Sequence, residues 1–315
     1  MSNIEHLVIS STLDYGTDYI CYEMMSRGLC YLRLNRDQFS DYDICYDLSA
    51  DTLHIDSDGR HYEVDPGTLR SIYFRAPVFV RTNAPRSIES QLYRSQWSSF
   101  LRNLMVFDGP KWVNHPRETF VAESKALQLR VARRVGLTIP ETWVTNCIPA
   151  LRSDGPFVAK ALDTALFYEE EQELFTYSSV VTDDELNKAD LRMAPVILQT
   201  YLADKIDLRV TVVGTRVFAV QILRDGYGIE GDWRKTPKEE LVYRPISLPG
   251  DLENKLLLLM QSLGLVYGGI DLIYSGGQYY FIEVNPTGEW CWLAESSDLP
   301  IQKAIVDCLE EQDVE

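Results

Sequence analysis

Apolar residues recur along this chain in short alternating runs separated by longer stretches at helical spacing, which predicts a mixed α/β (α+β) protein. "HLVIS" (6–10), "YLRLN" (31–35), "YDICYDL", "TLHID", "HYEV" and "SIYFRAP" (71–77) read as strands, with a helix around 18–27. Residues 88–106 predict a helix with Leu92, Trp97, Leu101 and Leu104 on one apolar stripe. A single helix is expected over 118–135, where Ala122, Ala126, Leu129 and Ala132 fall near helical spacing, Gly136 supplies the stop and Pro140 bars continuation. "PFVAKAL" (156–162) and "VILQTYL" (196–202) are strands, "DLRVTVVGTRVFAVQIL" is a hairpin turning at Gly214, and helices follow near 250–263 and 300–311. Between those helices "YGGIDLIYSGGQYYFIEVNP" forms a second hairpin with its turn at Ser275-Gly276-Gly277. Strict alternation in its second arm puts Tyr280, Ile282 and Val284 on one face and Phe281 with Glu283 on the other. The chain divides into parts at 1–112, 113–190 and 191–315, without repeats or low-complexity segments.

Composition narrows the function classes. A net charge of −17 argues against nucleic acid and anionic membranes as partners, and any anionic ligand must be met by a few local cations. No run reaches the roughly 18 apolar residues of a membrane span, and the N-terminus has no basic-then-apolar targeting pattern, so a cytoplasmic location is expected. Six scattered cysteines with no CxxC pair read as reduced thiols.

The second hairpin carries the chemistry. Counting back from its turn, Asp271 falls almost opposite Glu283, and Asn285 lies two positions further on the same face. Like charges opposite each other on a sheet repel unless something holds them. Two carboxylates and an amide oxygen make a hard, oxygen-only site that suits magnesium; two solvated strand acids are the alternative. Magnesium in such a site commonly serves a nucleotide, so cations and a purine pocket are expected upstream. Lys160 ends an apolar strand and can reach a phosphate or simply extend to solvent. Lys125 lies on the preceding helix, Gln199 interrupts an apolar strand, and Arg209 interrupts another. Over the stretch 113–135, Arg117, Arg130, Arg133 and Arg134 form the densest arginine cluster in the chain, either a solvated helix face or a recognition patch.

The order of Lys125, "PFVAK" with Lys160, "QTYL", "DLR", "DWRK" and "GGIDLIY…YYFIEVNP" resembles the ATP-grasp superfamily over roughly residues 113–311. "WVNHP", "FTYSSVVTDDEL", "NPTGEW" and "LPI" narrow the likeness to ligases that make graspetides of the microviridin type. The resemblance implies an N-terminal pre-ATP-grasp domain, a central subdomain and a C-terminal antiparallel-sheet subdomain with the Mg/ATP site. It assigns Lys125 and Lys160 to ATP phosphates, Gln199, Tyr201 and Leu202 to the adenine, and Asp207 to the ribose. Arg209 and Arg234 become catalytic cations at the transferred phosphate, and Asp271, Glu283 and Asn285 the Mg2+ ligands. One departure stands out: "ALDTALFYEEEQELFTYSSV" after Lys160 lacks the glycine-rich loop of many members.

What the resemblance implies is an ADP-forming ligase that phosphorylates Asp or Glu side chains of a ribosomally made precursor peptide, a leader plus an Asp/Glu-rich core. A hydroxyl or amine of the same peptide then closes an ester or amide ring. Two alternatives stay open: ligation of a free amino acid to a carboxylate, as "DWRK" also suggests, and a non-catalytic ATP-binding regulator. The sequence shows no Cys/His or Ser/His nucleophile pair, and His115 reads as a turn residue. A homodimer is left open.

Overall fold

A computed structural model of the chain describes residues 2–75, 87–147, 155–162, 166–169, 172–175 and 177–311. Parts of "SIYFRAP" and of the stretch after Lys160 fall outside these residues.

The N-terminal third opens with β1 (Ser2–Asn3), β2 (His6–Ser10), α1 (Tyr15–Ser26), β3 (Tyr31–Asn35), β4 (Asp43–Asp47), β5 (Thr52–Ser57), β6 (Arg60–Val64) and β7 (Ser71–Phe74). It continues through α2 (Ile88–Asn103) and β8 (Lys111–Val113). β3, β2, β7 and β8 form a parallel sheet in that order, while β1, β6, β5 and β4 form a second, mostly antiparallel one. Both faces of the parallel sheet are covered, as its unbroken apolar runs require. Leu7, Ile9, Ile72, Phe74 and Trp112 pack against the second sheet and α2. On the stripe expected for α2 only its C-terminal half is covered, and Leu92 is 54% exposed.

The middle third begins with α3 (Pro116–Ala122) and α4 (Lys125–Arg134), so the single helix expected over 118–135 is two. The ladder stops at Glu123, and Ser124, in extended conformation, caps α4. Gln128 explains why α4 takes its own direction. Its buried amide donates to Ala122 O (2.5 Å) and Val284 O (2.7 Å), and its oxygen accepts from Val284 N (3.0 Å). Next come β9 (Thr142–Thr145), β10 (Phe157–Lys160), a hairpin of β11 (Leu166–Glu169) and β12 (Gln172–Phe175), then β13 (Ser179–Val181), α5 (Asp183–Lys188) and β14 (Val196–Thr200). The antiparallel sheet β13-β10-β14-β9 buries Phe157 and Leu198 against Leu186 of α5. Its other face presents Val158, Lys160 and Gln199 to the cleft described below.

The last third comprises β15 (Ile206–Val213), β16 (Arg216–Arg224), β17 (Leu241–Ile246), α6 (Gly250–Ser262), β18 (Tyr267–Ser275), β19 (Gln278–Asn285), α7 (Cys291–Ser297) and α8 (Ile301–Glu310). The sheet β17-β16-β15-β18-β19 is antiparallel throughout. In β15 the even positions Leu208, Val210 and Val212 enter the core under α4 and α6, so the odd positions Asp207 and Arg209 face the opposite side. α8 crosses back to cover the parallel N-terminal sheet, burying Ile301, Ile305 and Leu309 with Val8, Tyr73 and Val113.

β19 corrects the expected alternation. Asp271 pairs with Glu283 but Leu272 pairs with Phe281, leaving Ile282 as the extra residue of a β-bulge. Phe281 and Val284 therefore share the core face, each 1% exposed, while Glu283 turns to the cleft. The energetics favour this. Burying a phenylalanine is worth roughly 2–3 kcal/mol, more than the ~1 kcal/mol of one ladder hydrogen bond.

Candidate functional site

Between the central sheet and the five-stranded sheet lies a cleft of about 780 Å3. It is lined by all eleven residues singled out in the sequence: Lys125, Lys160, Gln199, Tyr201, Leu202, Asp207, Arg209, Arg234, Asp271, Glu283 and Asn285. Among the described residues, no group of three or more His, Cys, Asp or Glu side chains is placed to hold a metal ion. The candidate metal site is the two-carboxylate-plus-amide set, with Asn285 Nδ2 3.4 Å from Glu283 Oε1.

Each carboxylate is met by cations from a different element. Arg209 Nη1 of β15 donates to Asp271 Oδ1 at 2.8 Å, and Arg234 Nη2 donates to Asp271 Oδ2 at 2.7 Å. Burial pushes the Asp271 carboxyl up, but these two guanidiniums together hold it below its ordinary value. Lys125 Nζ, delivered by the first residue of α4, lies 3.1 Å from Glu283 Oε2. Arg234 sits in a short 310 turn capped by Asp232 and lies over the Trp233 ring, 4.9 Å from its centroid. Lys160, half-buried at the end of β10, is pushed by desolvation down to about 8, with Lys125 acting the same way and Glu283 opposing.

At the other end of the cleft the polar groups are arranged along strand edges. Gln199 is 3% exposed, and its amide donates to Thr142 Oγ1 of the neighbouring β9 at 3.0 Å. Tyr201 N donates to Pro156 O at 3.1 Å, and its hydroxyl bonds to Glu230. Buried Asp207 pairs with Lys205, yet desolvation still raises its carboxyl above the ordinary value.

Several residues here went unnoticed in the sequence. Lys205 was discoverable, because it shares strand period with Asp207 and Arg209 and so must face the same way. Asn114, behind "WVNHP", donates to Tyr267 O (2.7 Å) and Pro286 O (2.9 Å) and accepts from Val266 N and Tyr267 N (both 2.9 Å). It fixes the end of β19 where the ligand set lies. Arg75, at the carboxyl end of β7, is buried and donates to Asp14 (3.3 Å), Gly288 O (3.4 Å) and Glu289 (2.9 Å). It ties the N-terminal sheet to the loop after Asn285. Backbone carbonyls of this loop accept from Tyr267 OH at Gly288 (2.5 Å) and from Arg209 Nη2 at Glu289 (3.3 Å). His115 caps α3 by accepting from Arg117 N, in keeping with a turn role.

Known proteins resemble this chain in part of its sequence and in its fold. Residues 169–309 match the RimK-like ATP-grasp domain family. The fold of the chain is ATP-grasp. The structure superposes on macrocyclase MdnC bound with precursor peptide MdnA from Microcystis aeruginosa with a TM-score of 0.82 at 24% identity, covering 96% of this chain and 98% of that one. It superposes on a Chryseobacterium gregarium RiPP-associated ATP-grasp ligase, in complex with ADP and a leader and core peptide, with a TM-score of 0.79 at 24% identity, covering 98% and 96%. A curated relative, the tetrahydromethanopterin:alpha-L-glutamate ligase of Methanococcus maripaludis, is 27% identical over 101 residues. That match spans 32% of this chain and only 33% of the relative's length. Against this family, the segment after Lys160 is the β11–β12 hairpin, with residues 163–165, 170, 171 and 176 outside the described set. No described helix is long and apolar enough to cross a membrane.

Proposed function

We propose that this protein is an ADP-forming, ATP-dependent peptide ligase that activates Asp or Glu side chains of a ribosomal precursor peptide and closes ester or amide rings. One observation carries the reading: a two-carboxylate, one-amide patch ringed by Lys125, Lys160, Arg209 and Arg234 inside one cleft. The fold match to macrocyclase MdnC over nearly the whole chain supports it.

Asp271, Glu283 and Asn285 are hard oxygen donors on adjacent strands and fit Mg2+, which when bound supplies charge neutralisation between nucleotide phosphates. Lys125 and Lys160 hold phosphate oxygens, Gln199, Tyr201 and Leu202 frame the purine, and Asp207 faces the ribose. A substrate carboxylate oxygen attacks the γ-phosphorus as the bond to ADP breaks, giving an acyl phosphate. Arg209 and Arg234 stabilise the charge spread over the moving phosphoryl group. A hydroxyl or amine of the same peptide then attacks the acyl carbon, phosphate leaves, and the nucleophile's proton passes to solvent. Hydroxylamine added during turnover should convert the acyl phosphate into a peptide hydroxamate. Turnover without any hydroxamate would contradict the acyl phosphate. The glutamate-ligase relative favours a second reading, in which the amine comes from a free amino acid.

Lys160 gives a pH prediction. A nucleotide polyanion favours its charged form, so binding should raise its pKa above the free-enzyme value of about 8. ADP affinity should then be flat below pH 8 and weaken above it, with proton uptake on binding. Calorimetry in buffers of different ionisation enthalpy checks this; identical heats near pH 9 would remove Lys160 from the phosphate site.

A further inference from the structure

The geometry points to a second binding site between α4 and β9, a basic-rimmed apolar groove that takes an acidic, amphipathic peptide segment. It rests on the peptide-ligase reading and extends it to where the substrate is gripped away from the cleft. The groove, about 450 Å3, runs between α4 and β9 over an apolar floor that includes Leu129, Ile139 and Val144 and is rimmed by Arg130, Arg133 and Arg134. Arg117 of the expected arginine patch is not part of it, since Arg117 lies on α3 and pairs with Glu118 at 2.6 Å.

Three observations favour an acidic peptide as the occupant. α4, "KALQLRVARR", carries four cations and no acid in a chain of net charge −17. None of the three rim arginines forms an ion pair with a described residue, although acids outnumber bases 47 to 30. Arginines in a last helical turn do complement the helix dipole, but that explains neither Arg130, a turn earlier, nor the floor beside it, where Val144 is 48% exposed.

Position ties the groove to the chemistry. Thr142 lines the groove and accepts from Gln199, which lines the cleft. Lys125 opens α4 inside the cleft and Arg134 closes it at the groove, nine residues and roughly 14 Å apart at the helical rise. About five extended residues bridge that distance, so one peptide can anchor in the groove while another of its segments enters the cleft.

The test is a display selection of random linear peptides against the wild-type protein, counter-selected on Arg130→Glu/Arg133→Glu/Arg134→Glu. ADP affinity and unfolding temperature should match wild type in that variant. Selected peptides should combine Asp or Glu with regularly spaced apolar residues, bind wild type at least about tenfold more tightly than the variant, and lose that advantage in high salt. Absence of enrichment, enrichment of peptides without acids, or competition by ADP would each overturn the site. Tighter binding of an oligouridylate than of any selected peptide would overturn it in favour of nucleic acid. Ring closure is scored separately by mass, so a selection that fails while rings still form refutes the groove alone.

Discussion

Glu283→Gln should lower ATP turnover by about a thousandfold or more while the unfolding temperature stays within a degree or two. The substitution keeps shape and packing and removes one charge. Asp271 cannot compensate alone, because Arg209 and Arg234 already offset its charge. Asn285 contributes only a neutral oxygen. Loss of a metal's several kcal/mol at the transferring phosphoryl corresponds to this range, since each 1.4 kcal/mol is about tenfold. Raising magnesium concentration should restore part of the rate by mass action. Near-normal phosphate release at ordinary magnesium would show that Glu283 is no metal ligand.

Gly288→Ala should cut turnover by about a hundredfold with ATP affinity changed only a few-fold. Arg209 lies in a slot walled by two glycines that have ordinary backbone angles and are small for lack of space. A Cβ on Gly288 would stand 2.5 Å from Arg209 Nη2 and 3.2 Å from Asn285 Cβ, and one on Gly269 would stand 2.4 Å from Nη2 and 2.7 Å from Cζ. With both walls fixed, the guanidinium can relieve the clash only by leaving Asp271. Arg209→Ala should show the same pattern, a rate loss of about 10²–10³ without matching loss of affinity, as expected for an interaction made chiefly in the transition state. Because Gly288 acts through Arg209, the double variant should be no slower than Arg209→Ala alone. A further drop in the double variant would give Gly288 a role of its own, and failure of Arg209→Ala to bind ATP would make Arg209 a binding residue.

Local signals in the sequence located much of this site. The Ser-Gly-Gly-Gln turn sets the register that brings Asp271 to Glu283, and "IDLR" puts two charged residues on one strand face by period alone. What escaped depends on packing between distant segments. The bulge at Ile282 exists because Phe281 has a core to enter beneath α4 and α6, and the break before Lys125 exists because Gln128 is claimed by the edge of β19. Leu92 looks like a core residue on a helical wheel, yet it is 54% exposed. Arg75 and Glu289 lie 214 residues apart and become partners only when α8 and the N-terminal sheet close on the C-terminal half.

The central claim is ring closure on a peptide. Incubating the protein with magnesium, ATP and each short acidic peptide encoded beside its gene, then weighing the products, tests it directly. The expected result is loss of one water per ring, one ADP per water lost, and resistance of the product to hydroxylamine wherever the link is an amide. A peptide heavier by an amino-acid residue would establish the free-amine ligase instead, and unchanged mass with every such peptide would contradict the account.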